Sequence, residues 1–499
     1  MAALDSTFLI ARVLPRLYRD SVALMALAAA TEKRAGVIRV GAVMATPGNI
    51  EILERSDMRP ADLAVAPDDL VLVVRAVDAD VAAEALDAAE AGLTAAEVRG
   101  GARTEQAPQT IVEGLALDDG LTVATISTPG TYAPAVVEQA LRHGLHVFCF
   151  SDNVSIEDEV RLKAFAVERG LLLMGPDCGT AILDGVPLGF ANVVARGSVA
   201  IVAASGTGAQ EISCLLDVAG CGVSQLIGVG GRDLSSTVGG VMTDLALDMV
   251  AADDATEVIV LVSKPPAPEV AKRVLARLAT LGKPAVACLL GLEDSDGPVV
   301  VRGTLEGGAI AAAELAGHPL KVDQPGSALA PTLVTGTVLG LYTGGTLASE
   351  AKIILDRAGV EHEILDLGDD EYTVGRPHPM IDPAERSSRV VQAGSRADVG
   401  VLLIDLVLGH GASVDPGTPL AEAARAARAA AAADGRDLVV IGSVCGTVGD
   451  PQDIAAQRSL LRDAGVVLFL TNAAAARYAA ACATAAPLGA PAPTSKEHA

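Results

Sequence analysis

The stretch SVAIVAASGTGAQEIS, from Ser198 to Ser213, decides the fold. Six short apolar residues, Val199 to Ala204, are typical of a strand buried on both faces of a parallel sheet. A glycine-rich turn, Ser205–Gly208, follows at once, and a helical pattern begins directly after it. This order predicts free backbone N–H groups and the positive end of a helix dipole at the carboxyl edge of a sheet, where anions bind. An ordinary βα turn capped by Ser205 or Thr207 is the alternative.

A second stretch of the same kind lies in the last third of the chain. A predicted strand, Thr337–Tyr342, leads into the turn Thr343–Thr346, and a predicted helix follows. If the two domains face each other, the two helix N-termini can hold one phosphoryl group between them. The predicted phosphate-binding residues are Ser205, Gly206, Thr207, Gly208, Thr343, Gly344, Gly345 and Thr346.

Composition narrows the fold class and the partners. Of the 499 residues 51% are apolar, but only 2% are aromatic and none is Trp. The cores must therefore be built from Ala, Val, Leu and Ile, which suits α/β layers better than a β-sandwich. A formal net charge of −25 argues against nucleic acid and anionic membranes as partners, since both need basic patches.

The sequence predicts neither a targeting segment nor cysteines that bind metal or form disulfides. No apolar run reaches the roughly 18 residues of a transmembrane helix, and the first residues lack the pattern of a signal peptide, so we expect a cytoplasmic protein. The seven cysteines include no CxxC pair and mostly lie in apolar segments. We expect reduced core thiols, with no metal site and no cofactor.

The strand and helix patterns predict an α/β chain of several doubly wound, Rossmann- or flavodoxin-like domains behind a small α/β module. The second domain lacks the GxGxxG fingerprint after its first strand, so hydride transfer has poor support. The predicted units are a ferredoxin-like module (1–97), a CoA-binding-like Rossmann domain (110–195), two flavodoxin-type domains (196–317 and 333–485) and a disordered tail (486–499).

The order of these features resembles the succinyl-CoA synthetase superfamily of acyl-CoA ligases. In that family a CoA-binding domain ends in a GPNCPG-type motif, which GPDCGT (175–180) resembles imperfectly. Paired helix ends, one from an SGT turn and one from a glycine-rich turn, surround an active-site phosphohistidine. Here the turns at Ser205 and Gly344 take the corresponding places, fused in one chain.

The chain is more closely similar to the FdrA family, which is named among acyl-CoA synthetases but linked to oxamate carbamoyltransferase in allantoin breakdown. The likeness covers nearly all of residues 15–480. It is carried by SDNVSIEDE (151–159), GLLLMGPDCGT (170–180), ASGTGAQE (204–211), GVGGRDLS (228–235), VSKPP (262–266), LYTGGTLASEA (341–351), DLGDDEYTVGRPHPMIDP (366–383) and GTVGDPQ (446–452).

Two departures from the synthetase pattern change the expected chemistry. The family's catalytic histidine lies in a GHAGA-type segment, whereas residues 301–310, VRGTLEGGAI, contain no histidine. An ATP-grasp domain is also missing. A phosphate cradle without a phosphorylated residue suits a substrate that brings its own phosphate, such as carbamoyl phosphate.

Four side chains are candidates for the remaining chemistry. Arg232, Lys264 and Arg376 offer cations for a phosphate or a carboxylate, and His378 offers a proton donor or acceptor. Each has a structural alternative. Arg232 beside Asp233 fits a surface pair, Lys264 before two prolines fits a strand end, and His378 between prolines fits a rigid turn.

The resemblance implies a subunit of an oxamate-type carbamoyltransferase that acts on carbamoyl phosphate and a small amide, together with companion subunits encoded nearby. Two other classes stay open. One is an NDP-forming acyl-CoA ligase subunit that works with a separate ATP-grasp partner. The other is a non-catalytic scaffold subunit that binds an anion.

Overall fold

The computed structural model describes residues 7–19, 21–61, 63–99, 108–322, 330–373 and 377–483. The predicted disordered tail lies outside these residues. The α/β class with doubly wound parallel sheets is confirmed, and four units follow one another along the chain.

The N-terminal module is a three-stranded antiparallel sheet in the order β1–β3–β2. Its central strand β3 is completely buried from Leu70 to Val74 because other elements cover both of its faces. The elements are β1 (Phe8–Leu14), α1 (Ser21–Glu32), β2 (Val37–Met44), α2 (Pro47–Arg55), β3 (Leu70–Ala76) and α3 (Ala79–Arg99).

The second unit is a Rossmann-like βαβαβ arrangement with three parallel strands in sequential order. The elements are α4 (Ile111–Leu117), β4 (Val123–Ile126), α5 (Ala133–Arg142), β5 (His146–Cys149), α6 (Ile156–Val167) and β6 (Leu173–Met174).

The third unit is a seven-stranded sheet in the order β13–β12–β11–β9–β10–β7–β8. Its five parallel strands follow the flavodoxin-like order. A hairpin, β7–β8, pairs antiparallel with β10 and covers that edge, although its residues fall in the range predicted for the second domain. The elements are β7 (Thr180–Leu183), β8 (Val186–Gly189), β9 (Arg196–Ala204), α7 (Gly206–Ala219), β10 (Val223–Gly228), α8 (Val241–Ala252), β11 (Val258–Ser263), α9 (Pro268–Leu278), β12 (Ala285–Leu289), β13 (Val300–Arg302) and α10 (Leu305–Leu315).

The fourth unit repeats the same order, β15–β14–β16–β17–β18, with all strands parallel. Helices α7, α10, α11 and α16 pack between the third and fourth sheets, and one apolar core runs through both units. The elements are β14 (Thr337–Tyr342), α11 (Gly345–Ala358), β15 (His362–Asp366), α12 (Asp370–Thr373), α13 (Ala384–Ala393), β16 (Val399–Val407), α14 (Gly417–Ala433), β17 (Val439–Cys445), α15 (Ile454–Asp463), β18 (Val467–Phe469) and α16 (Asn472–Ala483).

Candidate functional site

The two glycine-rich turns lie against each other. We call Ser205–Gly208 the first turn and Thr343–Thr346 the second turn. The Ser205 and Thr346 hydroxyls are 2.6 Å apart, and the Thr346 N–H donates to the Thr207 hydroxyl over 3.3 Å. The N-termini of α7 and α11 therefore meet at the contact between two domains. That an anion binds there stays a prediction.

The first turn presents free backbone donors. Ser205 caps α7 by accepting the Gly208 N–H over 3.1 Å. The N–H groups of Gly206 and Thr207 have no acceptor within the described part of the chain, as is usual for the first residues of a helix. A Cβ on Gly208 would lie 2.4 Å from the Ser205 hydroxyl, so only glycine fits there.

The second turn is already occupied by a carboxylate of the protein itself. Asp405, in the neighbouring strand β16, accepts the Thr343 N–H over 2.9 Å and the Gly344 N–H over 2.8 Å. The Arg386 guanidinium donates to the Asp405 carboxylate over 3.0 Å, and both residues are buried. Two donors that the sequence had offered for phosphate are thus taken by Asp405.

A cation and a carboxyl group flank the tip of α11. A Cβ on Gly345 would lie 2.2 Å from an Asp366 carboxylate oxygen and 3.1 Å from the Lys264 ammonium. Burial raises the pKa of Asp366 to about 6, although Lys264 acts to lower it. Lys264 itself is exposed at the end of β11. The pair supplies a positive charge and a group that can exchange a proton near neutral pH.

His378 lies beside the second turn in its neutral form. A Cβ on Gly368 would lie 2.4 Å from the His378 Nε2 and 3.0 Å from the Thr343 carbonyl oxygen, so the imidazole and the second turn are neighbours. The His378 Nδ1 accepts the Met380 N–H over 3.2 Å, which leaves the proton of the neutral ring on Nε2. Burial, with a smaller effect of Arg386, lowers the pKa of His378 to about 4. The imidazole is therefore a neutral hydrogen-bond donor at physiological pH.

The described contacts of Arg232 lie at the start of α6 rather than at the two turns. The Arg232 guanidinium pairs with Glu159 over 2.8 Å and donates to the Val154 carbonyl over 2.9 Å, which ties the third unit to α6. Arg232 thus makes an ion pair, but with Glu159 rather than with Asp233. Arg376 lies outside the described residues.

Sequence analysis missed a cluster of buried carboxyl groups behind the turns. Glu211 on α7 and Glu350 on α11 occupy the same position, six residues after each N-cap, and both are buried. Asn472 bonds to both, through its N–H over 3.2 Å and through its side chain over 2.8 Å. Burial raises the pKa of Glu211 to about 7 and that of Glu350 to about 8. A glutamate at the same position in the helix after each glycine-rich turn was the available signal.

The segment without histidine forms the end of β13 and the start of α10. Glu306 stands there, buried, and accepts two hydrogen bonds from the Arg477 guanidinium at 2.6 and 2.9 Å. Thr471 also donates to Glu306. This part of the site therefore holds a fixed ion pair.

Metal and membrane sites are not found in the described ranges. No group of three or more His, Cys, Asp or Glu side chains there is arranged to hold a metal ion. Nor does that part of the chain contain a helix both long enough and apolar enough to cross a membrane. All seven cysteines are buried.

Comparison with known proteins gives two family matches. Residues 341–482 match the CoA-ligase family, and this range contains the second turn, Asp366, His378 and Asp405. Residues 8–109 match the family described as AllF, heavy metal-associated domain. The two matches cover the N-terminal module and most of the fourth unit.

Similar proteins extend the comparison to the whole chain. The uncharacterized protein YahF of Escherichia coli is 38% identical over 91% of this chain and 94% of its own length. The mitochondrial succinate–CoA ligase subunit alpha-2 of Trichomonas vaginalis is 29% identical over 35% of this chain and 57% of that subunit. The apo structure of an acetyl-coenzyme A synthetase of Ca. Korarchaeum cryptofilum matches 76% of this chain and 87% of its own length, at 15% identity and a TM-score of 0.35, too loosely to inform function. The chain therefore belongs to the family of YahF, within the succinyl-CoA ligase superfamily.

Proposed function

We propose that this chain is a subunit of a carbamoyltransferase that moves a carbamoyl group between carbamoyl phosphate and a small carboxylated amide of the oxamate kind. The supporting observation is a pair of facing helix N-termini without a histidine in the segment where the ligases phosphorylate one. The resemblance to the FdrA family, which is linked to allantoin breakdown, and the match to an AllF-type domain both support this proposal.

The proposed reaction assigns a task to each group at the turns. The amide nitrogen of the acceptor attacks the carbamoyl carbon, the bond from that carbon to the phosphate oxygen breaks, and inorganic phosphate leaves. The N–H groups of Gly206 and Thr207, with the Lys264 ammonium, stabilise the charge of the departing phosphate. Asp366 accepts the proton that the amide nitrogen loses, a task that suits a carboxyl group with a pKa of about 6.

His378 completes the proposed site as a donor. Because the neutral ring carries its proton on Nε2, it can donate a hydrogen bond to the carbamoyl oxygen as negative charge develops there. The second turn then contributes little through its first two N–H groups, since Asp405 holds them. Arg376 stays a candidate for the acceptor carboxylate.

Companion subunits are part of the proposal. The groups assigned at the turns account for the phosphate and carbamoyl ends of one substrate and leave only Arg376 as a candidate for the acceptor. We infer that companion proteins encoded nearby complete the acceptor site, and that the isolated chain is weakly active or inactive.

The test measures phosphate release and carbamoyl transfer from ¹³C-labelled carbamoyl phosphate with oxamate, for the chain alone and with its companions. Gly206→Val places a branched side chain at the first N–H donor of α7 and should abolish carbamoyl phosphate binding in calorimetry. Gly48→Val is the matched control, because Gly48 lies at the start of α2 with nothing within 4 Å of an added Cβ. Unchanged binding in Gly206→Val would contradict the proposal.

An NDP-forming acyl-CoA ligase subunit is the second candidate. The CoA-ligase match and the similarity to a succinate–CoA ligase subunit favour it. Such an enzyme should form a CoA thioester when ATP, CoA and an ATP-grasp partner are added. Acid-labile phosphate on this chain after incubation with labelled ATP would support this candidate, whereas phosphate binding without turnover in any mixture would indicate a scaffold subunit.

A further inference from the structure

The N-terminal module does not have the side chains of a heavy-metal site, although its family is described as heavy metal-associated. Soft metals in protein sites are held mainly by thiolates and imidazoles, and residues 8–109 contain neither cysteine nor histidine, which leaves methionine thioethers as the only soft donors. No metal-binding group of His, Cys, Asp or Glu occurs in the described ranges either. This donor set does not fit a thiolate or imidazole metal site, which favours a ligand of another chemical class for this module.

We propose that a cavity between the N-terminal module and the Rossmann-like unit binds a small monocarboxylate with a flat or apolar body. The cavity has a volume of about 480 Å³, within the range of small-molecule sites. Arg16, Tyr18 and Met44 line it from the module, and Pro129 and Tyr132 line it from the second unit. This site is independent of the reaction proposed for the two turns.

The wall from the second unit is the turn that follows strand β4. Ligands of doubly wound sheets bind at the carboxyl ends of the strands, which is where Pro129 and Tyr132 lie. This turn packs closely on the loop after β5, because a Cβ on Gly130 would lie 2.2 Å from the Asp152 carbonyl oxygen. The module therefore covers the strand end at which a ligand is expected.

The wall from the module is fixed by one buried residue. The Asp69 carboxylate accepts the Arg16 N–H over 3.2 Å and the Ala66 N–H over 2.8 Å, and its carbonyl accepts the Ala45 N–H over 2.8 Å. Three segments around the cavity are thus tied together. Arg16 has a φ of 53°, a left-handed conformation that is uncommon for a residue other than glycine and that often marks a functional site.

The lining residues determine the class of ligand. Arg16 is exposed, and its guanidinium has no ion pair within the described part of the chain, so it can bind a carboxylate through two parallel hydrogen bonds. Tyr18, Tyr132 and Met44 offer flat and polarizable surfaces for an apolar body. Asp68 also lines the cavity, and its negative charge disfavours a dianion.

The test uses the full chain with two fluorinated probes, followed by ¹⁹F NMR titration. 4-Fluorobenzoate carries the carboxylate, and 4-fluorobenzamide has the same shape without the charge. We expect the benzoate to bind at least about tenfold more tightly, the usual size of a charge-assisted hydrogen bond. Arg16→Asn should remove this advantage, because Asn tolerates the left-handed backbone while the guanidinium is lost.

Two further variants separate binding from folding. Tyr132→Ala should weaken both probes, whereas Tyr132→Phe should retain both. Arg34→Gln, an exposed change on the same module, should leave both affinities unchanged. Equal affinity for the two probes, an unchanged benzoate affinity in Arg16→Asn with an unchanged unfolding midpoint, or no binding at millimolar concentration would each overturn the proposal.

Discussion

The first and second turns share a sequence pattern but differ in what their backbone donors hold. Both follow a buried parallel strand, both open a helix, and both helices carry a buried glutamate six residues after the N-cap. In the first turn the Gly206 and Thr207 N–H groups remain available. In the second turn Asp405 accepts two N–H groups. A helix N-terminus is thus an anion site only where the protein has not supplied its own anion.

The largest expected effect comes from removing the Asp405 carboxylate that occupies the second turn. Asp405→Asn leaves the buried Arg386 guanidinium without its charge partner and should lower the free energy of unfolding by about 3–5 kcal/mol. Urea unfolding followed by circular dichroism measures the change. Asp398→Asn, which breaks the exposed pair with Arg396, should change stability little. An equal loss in both variants would mean that the second turn is not held by its carboxylate.

The second prediction concerns the glutamates behind the turns. The pKa of Glu211 is raised to about 7 and that of Glu350 to about 8, from 4.5. The folded protein therefore holds more protons than the unfolded chain between these values. Stability should fall by about 2 kcal/mol as the pH rises from about 6.5 to 8, and should level off above about pH 9.

The glutamate prediction has its own control. Glu350→Gln removes one titrating group, so unfolding curves should depend less steeply on pH. Glu361→Gln, an exposed change in the same unit, should keep the full slope. A slope of the opposite sign in the wild-type chain would show that these carboxyl groups are charged in the folded state.

The sequence could predict the turns but not their occupancy. Apolar strands and glycine positions are local patterns, and they predicted both parallel sheets and the two helix starts. Asp405 is 62 residues from Thr343 in the chain, and only the pairing of β14 with β16 brings them together. Glu211 and Glu350 were missed for a related reason, because a glutamate in a helix is usually exposed unless a second domain covers it.

Replacing the first glycine of each helix by alanine should distinguish the two turns, because the space available for an added Cβ differs between them. A Cβ on Gly345 would lie 2.2 Å from the Asp366 carboxylate, whereas one on Gly206 would lie 3.4 Å from the Thr180 hydroxyl. Gly345→Ala should therefore cost about 1.5 kcal/mol, and Gly206→Ala less than about 0.5 kcal/mol. Thermal unfolding measures both. Similar losses would indicate that Asp366 can move away from the second turn without cost.

The smallest expected effect tests whether the two turns act on each other. The Ser205 and Thr346 hydroxyls are 2.6 Å apart in a buried contact, so they form one hydrogen bond between two domains. Ser205→Ala also loses the cap on the Gly208 N–H, and a single variant therefore cannot isolate the bond. A double-mutant cycle with Thr346→Val removes this extra loss and should give a coupling of about 1 kcal/mol. Additive losses would mean that the turns are neighbours without an energetic link, and that each helix N-terminus must then be considered as a separate site.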